Sequence, residues 1–235
     1  PFHERLVDME QYVKRGSDLT GQLLGFARGG SYEVRPTDLA EFGRTSAEMF
    51  GRTRKEISIH VSAEEGLWPV EVDRGQMEQV LLNLFLNASQ AMPGGGDLHL
   101  GMRNDVLDEG AATALALRPG RFVEVRVRDT GCGMDETTRS HIFEPFFSTR
   151  ERGQGTGLGL ASVYGIVRHH GGVIRVESAP GAGTTFTIHL PATDKPVVVE
   201  PVTVEDHASG QETILLIDDE PMILKISARM LEGLG

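Results

Sequence analysis

Residues 143–160 read FEPFFSTRERGQGTGLGL, and this stretch decides the fold. Gly155, Gly157 and Gly159 carry no Cβ, so the backbone there can adopt positive φ and direct several N–H groups at one anion. The apolar residues that follow predict a helix, whose positive N-terminal end would face the same anion. The stretch therefore predicts a phosphate cradle and a nucleotide site, with tight packing of a helix start as the alternative.

A carboxylate at the end of a strand is the second informative feature. Residues 122–127 alternate between apolar and polar side chains (FVEVRV), and Asp129 follows at the point where the chain turns on Gly131 and Gly133. A ligand contact and the capping of its own turn are both open roles for Asp129.

Upstream, residues 79–88 (QVLLNLFLNA) predict a largely buried helix that carries two amides. Asn83 and Asn87 are four residues apart and therefore share one face. Three glutamines continue this face, namely Gln76, Gln79 and Gln90. The face is polar without being charged.

The ordered set NLFLNA, DTGCGM, FEPFFSTR and GTGLGL resembles the ATP-binding domain of sensor histidine kinases, of the Bergerat or GHKL type, over about residues 32–192. The resemblance implies ATP and Mg²⁺ as ligands. Asn87 would ligate the Mg²⁺ that bridges the phosphates, and Asp129 would accept a hydrogen bond from the adenine amino group. One amide oxygen is enough for this metal, which keeps several waters and binds the phosphates as well.

The same resemblance assigns the remaining site residues. Residues 143–147 would hinge an ATP lid, the glycine cradle would close over the triphosphate, and Arg150 stands where many relatives have Lys. The predicted nucleotide-binding residues are Asn83, Asn87, Asp129, Gly131, Gly133, Phe146, Thr149, Arg150, Gly155, Thr156, Gly157, Leu158 and Gly159.

Position 83 separates two enzyme classes on this fold. Relatives that hydrolyse ATP carry a Glu four residues before the metal-binding Asn, and here that position is Asn83. An amide cannot take a proton from water, so phosphotransfer to a histidine is favoured over hydrolysis. A GHKL-type ATPase and an ATP-dependent binding module without phosphotransfer stay open as alternatives.

Composition narrows the function classes further. The net charge of −11 argues against nucleic-acid binding, which depends on Lys and Arg. The single cysteine, Cys132, excludes a disulfide within the chain. No apolar run approaches the roughly 20 residues of a membrane span, so we expect a cytoplasmic location without direct membrane contact, whatever anchors the parent protein. No histidine pair has metal spacing with Cys or carboxylates along the chain, so no zinc site is expected.

The N-terminal segment, residues 1–30, has two adjacent apolar stripes at heptad spacing, as in a bundle helix. It resembles the second helix of the histidine kinase dimerisation domain, which implies a homodimer in the full-length protein. In that family the phosphoacceptor His lies on the first helix, which would precede residue 1. His3 lies only 16 residues before Leu19, too close to be that acceptor.

The C-terminal segment predicts a linker at 193–210 and a new domain at 211–235. TILLIDDEP at 213–221 resembles the first strand of a response-regulator receiver domain, in which Asp218 and Asp219 would help to bind Mg²⁺. The family resemblance implies a response regulator or receiver domain as partner. A solvated acidic turn is the alternative for the two aspartates.

Between these ends, the pattern predicts an ATP-binding domain over 31–192 with an α/β (α+β) two-layer sandwich, in which a mixed β-sheet is covered by helices on one face. The predicted helices are 37–51, 73–91 and 158–170, and the predicted strands are 55–62, 97–104, 121–129, 173–178 and 184–190. Residues 105–119 are expected to be an insertion loop or a short helix. His169 and His170 are expected to be charges at a helix C-terminus.

Overall fold

The computed structural model describes residues 33–149 and 156–197. The chain divides into two compact units, Pro1–Val197 and Val198–Gly235. The predicted dimerisation helix at 1–30, the predicted receiver segment at 211–235 with Asp218 and Asp219, and the lid residues Arg150 and Gly155 lie outside the described residues.

Twelve elements make up the described part of the chain. In chain order they are β1 (Val34–Thr37), α1 (Leu39–Thr53), β2 (Ile57–Ala63), β3 (Val70–Asp73), α2 (Arg74–Ala91), β4 (Gly96–Leu107), α3 (Glu109–Leu115), β5 (Gly120–Asp129), α4 (Glu136–His141), α5 (Gly159–His169), β6 (Val173–Ser178) and β7 (Thr184–Pro191).

The main sheet has five strands in the order β2-β4-β5-β7-β6. β2 and β4 are parallel, and the other three pairs are antiparallel. The parallel pair is joined by β3 and α2, the crossover that a parallel connection requires. β1 and β3 form a separate antiparallel pair. The predicted mixed sheet is confirmed.

Alternation along the strands places the core on one face of this sheet. Every second residue, Leu98, Leu100 and Met102 in β4 and Val123, Val125 and Val127 in β5, is buried in one cluster with α1, α2 and α5. Leu84 and Phe85 of α2 and Val163 of α5 are each about 1% exposed or less. Burying such side chains contributes about 1.5–3 kcal/mol each, so this layer holds the helices on the sheet.

The other face of the sheet is polar and charged. Glu124 of β5 lies there in a bidentate pair with Arg103, at 2.9 and 3.0 Å, and 3.1 Å from Arg126. Burial pushes the pKa of the Glu124 carboxyl up, but the two guanidinium groups hold it below its ordinary value. α3 covers one end of this face through a small apolar cluster of Leu107, Ala112 and Phe122.

Most helices begin with an aspartate cap. Side chains of Asp38, Asp73, Asp108 and Asp135 accept backbone N–H groups at the starts of α1 to α4. α5 differs, because Leu158 precedes it and provides no side-chain cap. The N–H groups at the start of α5 are therefore not capped in this way.

Four features differ from the expectations. The β1–β3 pair and the six-residue helix α4 were not predicted, and β4 continues to Leu107. The segment 105–119 contains a short helix, α3, one of its two expected forms. His170 is not a helix-end charge: it is 8% exposed, and its Nε2 accepts the backbone N–H of Asp73 at 3.0 Å.

Candidate nucleotide-binding site

Asp129 is the last residue of β5 and is 4% exposed. Its Oδ1 accepts backbone N–H groups from Gly131 at 2.9 Å and from Thr184 at 3.2 Å. Its Oδ2 receives no hydrogen bond from the described residues. Burial raises the pKa of this carboxyl, and the two backbone hydrogen bonds oppose that shift. Asp129 thus caps its own turn with one oxygen and keeps the other available.

The turn after Asp129 fits only glycine at two positions. A Cβ on Gly131 would lie 2.7 Å from the Cβ of Ala91, and one on Gly133 would lie 2.0 Å from the carbonyl oxygen of Ala179. Gly133 also has a φ of +67°. Cys132 donates its backbone N–H to the carbonyl of Ala91 at 3.0 Å. These contacts hold the turn against the C-terminal end of α2.

The two amides of α2 have different surroundings. Both are half-buried on one face of the helix. Asn83 donates its Nδ2–H to the carbonyl oxygen of Gly159 at 3.3 Å, which ties α2 to the start of α5. The side chain of Asn87, one turn before Ala91, makes no hydrogen bond within the described residues. Its carbonyl oxygen is therefore available to a ligand.

The residues on either side of the predicted lid meet through their backbones. Phe146 donates its N–H to the carbonyl oxygen of Gly157 at 3.0 Å, and both residues have positive φ. The side chain of Phe146 is 69% exposed. The rings of Phe143 and Phe147 instead pack inward, next to Tyr164 and His141 respectively. Packed aromatic rings thus hold the segment that precedes the predicted lid, and Phe146 contributes its backbone.

The rest of the predicted set surrounds the start of α5. Thr156 accepts the N–H of Leu158 on its Oγ1 at 3.4 Å, and Gly159 is the first residue of the uncapped helix. Thr149 is exposed. The structure therefore joins the predicted residues in three groups: Asp129 with its glycine turn, Asn83 with Gly159, and Phe146 with Gly157.

Residues 72–194 match the family described as histidine kinase-, DNA gyrase B-, and HSP90-like ATPase, and this match spans more than half of the chain. The chain belongs to this family. The histidine kinase resemblance of its four motifs is confirmed, and the matched region is a histidine kinase ATP-binding catalytic domain.

Two relatives and one complex illustrate the match. The sensor kinase CckA of Brucella abortus (strain 2308) is 37% identical over 246 residues, which cover 100% of this chain and 26% of CckA. The mycobacterial sensor histidine kinase MprB is 31% identical with a TM-score of 0.53, over 68% of this chain and 97% of the MprB chain. Full-length ShkA in complex with AMPPNP is 26% identical with a TM-score of 0.58, over 93% of this chain and 43% of ShkA. The chain therefore spans about a quarter of the length of CckA.

Two backbone groups that hold the turn after Asp129 in this histidine kinase domain are not predicted by the sequence. The N–H of Thr184 bonds Asp129 from 55 residues away, and the carbonyl of Ala91 receives the N–H of Cys132. Both contacts are made by backbone atoms, so no residue type signals them.

Across the described part of the chain, no helix has the length and apolar character needed to cross a membrane.

Proposed function

We propose that this chain is the ATP-binding catalytic part of a two-component sensor kinase, and that it transfers the γ-phosphate of Mg·ATP to a histidine outside these 235 residues. The observation that carries this proposal is the buried carboxylate of Asp129. One oxygen is held by two backbone N–H groups, and the other is left without a partner among the described residues.

That second oxygen suits adenine. The exocyclic amine of adenine would donate to Oδ2, whereas guanine has a carbonyl at the same place and would repel it. Because Asp129 is buried, its charge-assisted hydrogen bond would contribute about 1.5–3 kcal/mol. Gly131 and Gly133 would keep the pocket open, since any side chain there meets backbone atoms or Ala91.

The metal and the phosphates would lie between α2 and α5. Asn87 provides an unpartnered amide oxygen of the hard type that Mg²⁺ prefers, with the phosphates and water as the other ligands. The uncapped start of α5, with Thr156, Gly157, Leu158 and Gly159, would receive phosphate oxygens. We assign Phe146, Thr149, Arg150 and Gly155 to the lid that closes over them.

The environment of Asn83 favours transfer over hydrolysis. Its side-chain amide already donates to Gly159, and it has no group that can take a proton from water. The nucleophile in the proposed reaction is an imidazole nitrogen of another segment. It attacks the γ-phosphorus in line as the bond to the β,γ-bridging oxygen breaks, and ADP leaves with that electron pair.

The experiment is incubation of the purified chain with γ-labelled ATP. We expect ATP binding without label on the chain, and acid-labile label on a separate polypeptide containing both dimerisation helices of the parent once it is added. Asn87→Ala in the chain should abolish that transfer. Phosphate release without transfer of label would establish the ATPase alternative. ATP binding with neither phosphate release nor transfer of label would establish the binding module.

The remaining assignments follow the same proposal. Residues 1–30 are assigned to the second dimerisation helix, 31–192 to the catalytic domain, 193–210 to a linker, and 211–235 to the start of a receiver domain with Asp218 and Asp219 as part of a Mg²⁺ site. The full-length protein would be a cytoplasmic-facing homodimer through its N-terminal helix, and a response-regulator aspartate would receive the phosphate.

A further inference from the structure

Two neighbouring strands place three metal-ligating side chains on the open face of the sheet. His60 lies on β2, and Asp97 and His99 lie on β4. In the parallel register of these strands His60 is the direct partner of His99. Asp97 is two residues before His99, so the pleat directs both side chains to the same face.

The three side chains are within reach of one ion. His60 Nε2 lies 2.7 Å from Asp97 Oδ1, and the rings of His60 and His99 stack with centroids 4.6 Å apart and 17° between their planes. One ligand atom from each residue lies within 4.8 Å of the other two. The side chains of His60 and Asp97 are 53% and 48% exposed, so an ion can enter from solvent.

We propose that His60, Asp97 and His99 form a Zn²⁺ site, with solvent water in the fourth position. Two imidazoles and one carboxylate match the ligands of a tetrahedral zinc site with three protein ligands. Ligand atoms at 2.0–2.2 Å from one ion lie roughly 3.3–3.5 Å apart, a spacing that small rotations of exposed side chains can reach. Mg²⁺ prefers oxygen ligands, so this set selects against the metal of the nucleotide site.

The backbone around Asp97 is held in place. Its N–H donates to Thr130 Oγ1 at 3.0 Å, and its carbonyl oxygen accepts the N–H of Thr130 at 3.2 Å. The carboxylate therefore projects from a fixed strand end. Arg128 is the β5 partner of His99 by register, so its positive charge lies next to the site. Its guanidinium would weaken binding of a cation.

A second cluster on the same face is not suited to a cation. Asp105, Glu124 and His189 also bring their ligand atoms within 4.8 Å of one another. Glu124, however, is already paired with the guanidinium groups of Arg103 and Arg126. A metal ion there would have to displace or approach two positive charges, so the proposal is confined to the first cluster.

Titration calorimetry of the tag-free chain with ZnCl₂ tests the site. Each of His60→Gln, Asp97→Asn and His99→Gln should weaken this binding by more than about tenfold, because even outer-shell partners of metal ligands cost about 10–100-fold when lost. Arg128→Gln should tighten it by removing the opposing charge. Excess Mg²⁺ should not displace the Zn²⁺.

The matched control is His141→Gln. His141 pairs with the carboxylate of Glu144 at 2.8 Å, as His60 pairs with Asp97, but no third ligand joins that pair among the described residues. The control should bind Zn²⁺ as tightly as the unchanged chain. Imidazole ¹⁵N shifts should move for His60 and His99 on addition of Zn²⁺.

Two results would overturn the proposal. One is Zn²⁺ affinity unchanged in all three ligand variants. The other is loss of affinity with His60→Gln and Asp97→Asn but not with His99→Gln, since a simple hydrogen-bonded pair accounts for the first two residues alone.

Discussion

Phe146 and Gly157 face each other in the same left-handed backbone conformation, with φ of 67° and 66°, and the amide of Phe146 bonds the carbonyl oxygen of Gly157 at 3.0 Å. For a bulky residue such a φ is unfavourable by about 1–3 kcal/mol and is found mainly at functional positions. The hydrogen bond joins the chain on either side of the predicted lid. The described residues on the two sides of the predicted lid therefore meet beside the start of α5.

Gly157→Ala should disrupt the backbone contact between Phe146 and Gly157. A Cβ there would lie 2.4 Å from the carbonyl carbon of Phe146 and would sit at a φ that alanine rarely adopts. We expect a loss of about 1–3 kcal/mol in the free energy of unfolding and weaker ATP binding, measured by denaturant unfolding and calorimetry. Gly165→Ala is the control, because nothing lies within 4 Å of its added Cβ inside α5. It should stabilise the chain by roughly 0.5–1 kcal/mol.

Phe146→Gly should have the opposite effect on stability. Glycine relieves the positive φ, and little packing is lost because the side chain is 69% exposed. We expect unfolding free energy that is equal to or above that of the parent chain, together with weaker ATP binding if the ring covers the nucleotide. Unchanged ATP affinity would remove Phe146 from the predicted site.

Asp129→Asn should lower ATP affinity by roughly tenfold to a hundredfold, because it replaces a charge-assisted hydrogen bond worth about 1.5–3 kcal/mol. Discrimination between ATP and GTP should fall, since an amide can also donate to the guanine carbonyl. The thermal midpoint should not fall, because burial already disfavours the charged carboxylate and raises its pKa. An ATP-to-GTP preference equal to that of the parent chain would contradict the adenine assignment.

Asn87→Ala should remove the Mg²⁺-dependent part of ATP binding while leaving the Mg²⁺-free part. The control is Gln90→Ala, an exposed amide near the end of the same helix, which should have no effect. Calorimetric titrations with and without Mg²⁺ compare the two variants. If both variants keep the full Mg²⁺ dependence, the metal is held elsewhere.

Acid should weaken the fold through His170. Its Nε2 accepts the N–H of Asp73, and its Nδ1–H donates to the carbonyl of Ile166 at 2.8 Å, so the ring is neutral. Burial lowers the pKa of His170 below its ordinary value of 6.5. The unfolded chain therefore binds this proton first. The stabilising contribution is complete above about pH 6.5 and is lost as the pH falls towards the lower pKa of the folded state.

Denaturant unfolding between pH 7 and pH 5 measures this effect, with a slope of at most about 1.4 kcal/mol per pH unit for one proton. His170→Gln removes the titration but keeps an acceptor, so its stability should depend less on pH. His169→Gln, at the exposed neighbour, should keep most of the pH dependence, because burial is a larger cause of the lowered pKa of His170 than the charge of His169.

Local patterns predicted the large elements closely. The helix expected at 73–91 is Arg74–Ala91. The spacing of its apolar residues and the aspartate that caps its start both lie within one continuous stretch of sequence. The strands of the main sheet are also predictable locally, because apolar and polar residues alternate within a strand. β1 and β3 each have four residues and pair across about 36 positions, so neither carries a pattern of its own.

The contacts between distant segments could not be predicted in this way. From the sequence, His170 is expected to be a charge at a helix end, and only its contact with Asp73 at the end of β3 shows that it is a buried acceptor. His60 and His99 are 39 positions apart in the sequence, and only the parallel register of β2 and β4 makes them neighbours. The expectation of no zinc site is based on spacing along the chain, which cannot identify histidines that become neighbours only through strand pairing.

Two hydrogen bonds between Asp97 and Thr130 join the start of β4 to the turn after Asp129. Asp97 displays its side chain on the outer surface of the sheet, while Asp129 is buried beneath the helices. The two carboxylates are therefore connected through a single residue, Thr130, which follows Asp129 in the chain. Thermodynamic reciprocity then applies: whatever factor an ion on the outer surface imposes on nucleotide affinity, the nucleotide must impose on the ion.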